Sequence, residues 1–246
     1  MNTCVADLHV HTALSPCAAD EMTPPAIVAK ALAEGLHMIA ICDHNSTRNV
    51  AAVQEAAGDR LAVLAGMEIT SAEECHVVGL FPAATAAEAA AAELGGTLPR
   101  IDDGYETFFG EQHVLGADGA ELGRETLALA TAAPLDVSAV VALIHRHGGL
   151  AVAAHIDRRS FGVIGQLGLF PTEAGFDGVE VSRHVAPGSK REAELGGYGL
   201  PIVRSSDAHY LDDIGAARTT LHCVEPGFAE LALALRHEDG RSVGDA

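Results

Sequence analysis

Long apolar runs are missing from this chain. No stretch approaches the roughly 18 residues that a membrane-spanning helix needs, so a transmembrane segment is not expected. Met1-Asn2-Thr3 leads straight into a strand pattern, with no basic segment and apolar core ahead of it, so no secretion signal is read. The five cysteines, Cys4, Cys17, Cys42, Cys75 and Cys223, are odd in number and show no CxxC spacing. A disulfide framework is therefore not expected, and reduced thiols in a cytoplasmic protein are. Positive charge is scarce: 15 Lys and Arg stand against 34 Asp and Glu, a net charge of -19. Such acidity repels a phosphate backbone and argues against a broad nucleic-acid surface, although not against a short strand held inside a cleft. There is no internal repeat and no linker. With 246 residues, 48% of them hydrophobic, the chain suits one α/β domain over residues 1–237 and a flexible polar tail over 238–246.

Histidine is abundant by contrast, with thirteen residues. The most informative stretch is Asp7-Leu8-His9-Val10-His11-Thr12, which reads as a strand running into a turn. Residues two apart on a strand share a face, so His9 and His11 project together, with Asp7 on the same side. Two converging imidazoles make half a site for a divalent metal. A pair of this kind is weak by itself, and the remaining strands supply the support. His37–Cys42 ends at Asp43-His44; Leu61–Ala65 ends at Gly66-Met67-Glu68; Cys75–Phe81 carries His76 at its start. Leu150–Ala154 ends at His155, Gly178–Val181 follows, and Pro201–Arg204 runs into Asp207-Ala208-His209.

Between these strands lie apolar residues at helical spacing, as at Ile27, Val28, Ala31 and Leu32 after Thr23-Pro24-Pro25. Strands alternating with helices predict a mostly parallel sheet, and parallel barrels collect functional residues at the carboxyl ends of their strands. From 83 to 142 the alternation is lost. Ala86–Leu94 reads as helix, Pro99–Gly123 as an insertion or lid-like loop, and Asp136–Arg146 as helix.

The segments DLHVHT at 7–12, CDHN at 42–45, GME at 66–68, HVVGLF at 76–81, AAHIDR at 153–158 and SSDAHY at 205–210 resemble, in order and spacing, the motifs of the PHP (polymerase and histidinol phosphatase) superfamily. The resemblance covers nearly the whole chain. It implies an α/β fold of distorted (β/α)7 barrel type, here with an insertion around residues 83–142. It also implies phosphoester hydrolysis with two to three divalent ions, of zinc, iron or manganese. Carried over residue by residue, it assigns a first metal to His9, His11, Glu68 and Asp207. Glu68 bridges to a second, held also by His76 and His155, and His44 and His209 hold a third. The attacking water then sits near Glu68 and His11, on the bridged pair.

This chain departs from the family in the loop after the first strand, where no histidine stands between Thr12 and Lys30. Asp20, ahead of Thr23-Pro24, is the candidate third-metal ligand, with Cys17 as its rival and a plain loop role for both as the alternative. Asp7 and Asp43 neighbour ligand histidines and are expected either to fix their tautomers or to cap strand ends. Arg158 is the favoured phosphate-binding residue, with Arg183 and His184 as further candidates. The expected partner is a small phosphorylated molecule or a short nucleotide. Hydrolysis of another ester or an amide, and a purely structural or regulatory metal site, are the alternatives.

Overall fold

The computed structural model describes residues 1–244. Strands β1 (Asn2–Val10), β2 (Met38–Ile41), β3 (Ala62–Thr70) and β4 (His76–Phe81) come first, with helices α1 (Pro24–Ala33) and α2 (Val50–Ala57) between them. Next come α3 (Ala84–Gly95), the short α4 (Tyr105–Phe109), a hairpin of β5 (His113–Leu115) and β6 (Glu121–Arg124), and α5 (Val137–Arg146). The chain continues through β7 (Leu150–Ala153), α6 (Val163–Leu167), β8 (Gly178–Val181), α7 (Lys190–Leu195), β9 (Ile202–Arg204), β10 (Thr219–Cys223), α8 (Phe228–Leu235) and β11 (Ser242–Gly244).

One sheet takes nine strands in the order β11-β10-β1-β2-β3-β4-β7-β8-β9. The segment after β9 returns to the end of β1, where His11 N–H donates to the Ala208 carbonyl at 3.0 Å and Ala208 N–H to that of His9 at 3.2 Å. Strands β1, β2, β3, β4, β7, β8 and β9 thus form a nearly closed barrel, as expected. Most neighbours in it are parallel, but β4 runs antiparallel to both β3 and β7. Its first residue therefore lies at the same end as the last residues of its neighbours. That is why His76, at the start of its strand, joins residues placed at strand ends.

Apolar residues pack on both faces of the sheet. One cluster joins Ile39, Ile41, Met67 and Val179 to the inward stripes of the outer helices, such as Ile27 and Val28 of α1 and Val140, Val141 and Ile144 of α5. The other joins Cys4, Ala6 and Leu8 to Met38, Ala40, Val78, Leu80 and Val152 inside the barrel. Strand β1 changes face on the way. Leu8 belongs to the inner cluster but Val10 to the outer one, and the pairing with β2 shifts register between Asp7 and Val10. A bulge re-aims the side chains that follow it. Here it turns His9 and His11 inward and separates them from Asp7.

The region between β4 and β7 is more ordered than a lid-like loop. Asn49, which precedes α2, ties its hairpin down: Leu115 N–H donates to Asn49 Oδ1 at 2.9 Å, and Asn49 Nδ2 donates to the His113 carbonyl at 3.0 Å. Asp136 caps α5 by accepting from Ala139 N–H at 2.8 Å, an arrangement contributing about 1 kcal/mol. The tail also differs from expectation. Residues 242–244 pair with β10 as an added edge strand, because β10 otherwise leaves a row of backbone groups unpaired. The last two residues of the expected tail lie outside the described residues. No helix of the described chain is long and apolar enough to cross a membrane.

Candidate metal centre

Glu68 stands at the middle of the barrel mouth and is fully buried. Its Oε1 lies 2.8 Å from His76 Nδ1 and 3.3 Å from His155 Nε2. Its Oε2 lies 3.1 Å from His44 Nδ1 and 3.4 Å from the Nε2 atoms of His9 and His11. Asp207 Oδ1 approaches His11 Nε2 at 3.0 Å and His9 Nε2 at 3.4 Å. His209 meets His11, with ring centroids 4.1 Å apart. Three groups offer ligand atoms close enough to share one ion each: His9, His11, Glu68 and Asp207; His44, Glu68 and His76; and His11, His44 and His209.

Several of these atoms lack a hydrogen bond. His44 Nδ1, His76 Nδ1 and Glu68 Oε2 are buried without a partner among the described residues, although they lie near one another. Their directions converge on shared space instead of on each other. An unpaired buried polar atom is costly, and a divalent cation in that space would satisfy all of them. Imidazoles and carboxylates in this mixture suit zinc, iron or manganese. The donor set therefore fits divalent metals.

Charges within the cluster keep its two carboxylates ionised, the form that attracts a cation. Burial opposes charge on Glu68, but the His76, His9 and His44 rings outweigh it and hold the carboxyl well below its usual range. Burial likewise opposes charge on Asp207, where His9 and His11 prevail. His9 is driven the other way: against its burial, the Glu180, Glu68 and Asp207 carboxylates hold its pKa well above the usual value.

Two of the converging positions are also strained. His155 and Asp207 have φ of 28° and 52°, in the left-handed region, which costs a non-glycine residue on the order of 1–3 kcal/mol. The surroundings hold both in place. His155 N–H donates to Glu180 Oε1 at 3.1 Å, and Arg158 donates to Asp207 Oδ2 at 2.6 Å.

Glu180 was not singled out from the sequence. It is buried on β8 and accepts from His9 Nδ1 at 3.0 Å, which leaves the other ring nitrogen facing the cluster. A lone acidic residue in the apolar run Gly178-Val179-Glu180-Val181 was the available signal. Asp7 and Asp43 have other duties than direct bonding to a ligand histidine. Asp7, on the far side of the bulge, accepts from Ser206 N–H, Ser206 Oγ and Gly215 N–H. Asp43 accepts from Thr12 N–H and from Ser15 Oγ at 2.7 Å, and Ser15 Oγ in turn meets His11 Nδ1 at 2.9 Å. Asp43 thus orients His11 through a hydroxyl.

Other expected residues are not brought in. The Asp20 side chain is 90% exposed and faces His113 instead of the cluster, because its loop turns outward after Ala19. Arg183 pairs with Asp213 at the surface, and His184 is exposed. His155 touches Glu68 but falls outside the three groups, while His44 serves in two of them.

Cys17, the rival of Asp20, is exposed and belongs to none of the three groups, but it neighbours His209 and His44. Desolvation works against its thiolate, but bonding to His209 and His44 outweighs it and draws the thiol down to about 6. Burial raises the thiols of Cys4, Cys42, Cys75 and Cys223. Brief iodoacetamide treatment of metal-free protein at neutral pH is expected to alkylate Cys17 first, since the thiolate is the nucleophile. Metal loading is expected to protect it. Peptide mass spectrometry reads both, and preferential labelling of another cysteine would refute the assignment.

Residues 7–163 match the PHP domain family, and residues 195–239 match the PHP-associated family. The chain belongs to the PHP domain family. A 5'-3' exoribonuclease of Haemophilus influenzae is 27% identical over 188 residues, covering 61% of this chain and 68% of that protein. The lesion-specific endonuclease Q of Pyrococcus furiosus superposes on 98% of this chain with a TM-score of 0.77 at 14% identity. The chain spans 58% of endonuclease Q. A second endonuclease Q structure, with a TM-score of 0.76, holds a 27-mer duplex with an abasic lesion at its active site. These relatives correct the expectation of a small phosphorylated partner and no broad nucleic-acid surface. Net charge averages over the whole molecule, whereas binding at a metal cluster is set by the local field in the cleft.

Proposed function

We propose that this PHP domain hydrolyses phosphodiester bonds of nucleic acid, with two to three divalent ions (zinc, iron or manganese) held by His9, His11, His44, Glu68, His76, His155, Asp207 and His209. The observation that carries the proposal is the convergence of these side chains on Glu68 with the Arg158 guanidinium at the edge. When bound, such ions supply Lewis acidity at the phosphoryl oxygens and lower the pKa of a water. The chain's own residues provide the rest. Glu180 and the Ser15–Asp43 pair fix the rings of His9 and His11. Arg158, with its side chain 36% exposed, is placed to present donors to a phosphate beside Asp207. Residues 1–237 act as one domain in this reading, and five free cysteines suit a reducing cytoplasm.

The test is turnover of short single-stranded and duplex oligonucleotides by protein loaded in turn with zinc, iron and manganese. Arg158→Ala is expected to raise KM about tenfold, the loss of a charge-assisted hydrogen bond of ~1.5–3 kcal/mol. Absence of turnover on every strand and every metal would refute the proposal.

A further inference from the structure

One exposed aromatic side chain packs directly on this cluster. The chain has only 7 Phe and 3 Tyr, with no Trp. Phe108, Phe109, Phe161 and Tyr210 are its exposed large aromatics, and each belongs to a segment that carries or touches a candidate ligand. Tyr210 follows His209. Helix α4 brings Phe108 and Phe109 beside the loop of Cys17, since Gly110 packs so tightly against the Pro16 carbonyl that a Cβ there would lie 2.2 Å from it. Burial is the ordinary fate of a phenylalanine, so a ring left open beside the cluster calls for an occupant.

Phe161 is the most constrained of them. Its φ is 62°, uncommon for a residue with a side chain. Its carbonyl accepts from His76 N–H at 2.8 Å. Its ring stacks on the His76 imidazole, with centroids 4.5 Å apart and planes 22° from parallel. The residue nevertheless remains 43% exposed. One face of the ring is thus covered by His76, and the loop is held in a strained conformation that keeps the rest open. Arg158, three residues earlier on the same loop, leans on Asp207. A single loop therefore presents a guanidinium on one side of the cluster and an open aromatic ring on the other.

The geometry points to Phe161 as a stacking platform for an unpaired nucleobase next to the phosphate that Arg158 and the cluster receive. The inference rests on the phosphodiesterase reading and adds to it the part of the substrate that is recognised. Stacking on an aromatic ring is tolerant of sequence and needs no positive charge, so it suits a protein with a net charge of -19.

The test compares a short single strand with its counterpart bearing tetrahydrofuran abasic sites throughout, which keeps the phosphates and removes the bases. KM and, by anisotropy, Kd are measured on metal-loaded wild type, Phe161→Ala and Phe161→Tyr, with metal content in parallel. Wild type is expected to prefer the base-bearing strand. Phe161→Ala should weaken that strand about tenfold and collapse the preference, because losing one stacked base costs on that order. Phe161→Tyr should keep it. An equal loss on both strands accompanied by lost metal would mean that Phe161 only supports His76 and would overturn the inference, as would no change on either. Absence of turnover in wild type refutes the phosphodiesterase reading instead. The base-dependent Kd then decides the stacking role alone.

Discussion

Glu68→Gln is expected to lower oligonucleotide turnover on the order of a thousandfold and to reduce bound metal, measured by elemental analysis on the folded variant. The residue keeps its shape and loses its charge. Each Glu68 oxygen lies close to histidine nitrogens, Oε1 to His76 and His155 and Oε2 to His44, His9 and His11. Glutamine replaces one acceptor with an N–H donor, so one side of that arrangement becomes repulsive to a cation. Groups that only orient a ligand cost about 10–100-fold in affinity or activity when lost, and a carboxylate shared by two candidate ion positions must exceed that. The fold should survive, because the apolar clusters on both faces of the sheet do not include Glu68. Circular dichroism checks this. Full metal and full turnover in the variant would remove Glu68 from the centre of the site.

The cluster was legible because its residues stand beside short apolar runs. HxH at 9 and 11 and Asp207-Ala208-His209 each place two candidate ligands where an apolar segment stops. The inward aim of His9 and His11 was not legible, since a plain strand period puts Asp7 with them. The bulge between Asp7 and Val10 breaks that period, and bulges leave no reliable mark in one sequence. Cys17 and Asp20 lie three residues apart on one loop, and only the turn of the backbone separates them. The hairpin at β5 and β6 was hidden because its order comes from Asn49, far away in the chain. The nucleic acids on which the relatives act were not anticipated for another reason. A whole-chain charge says little about a cleft whose field is made by a few buried groups.

Glu180 tests how far the site extends beyond its ligands. Its carboxylate is buried and bonded twice, to His9 Nδ1 and to His155 N–H. The first contact sets which His9 nitrogen faces the cluster, and the second supports the strained backbone of His155. Glu180→Gln retains the bond to His155 but reduces the negative charge that raises the basicity of His9. A loss of about 10–100-fold in metal affinity is expected, with turnover falling in step. Glu180→Ala removes both bonds and leaves His9 Nδ1 and His155 N–H buried without partners, which costs about 1–3 kcal/mol for each unsatisfied group. The alanine variant should therefore also unfold at lower temperature, while the glutamine variant should not. Metal titration and thermal denaturation of the pair separate the two effects. If both variants bind metal like wild type, the His9–Glu180 contact is packing alone, and the tautomer of His9 is fixed by the cluster itself.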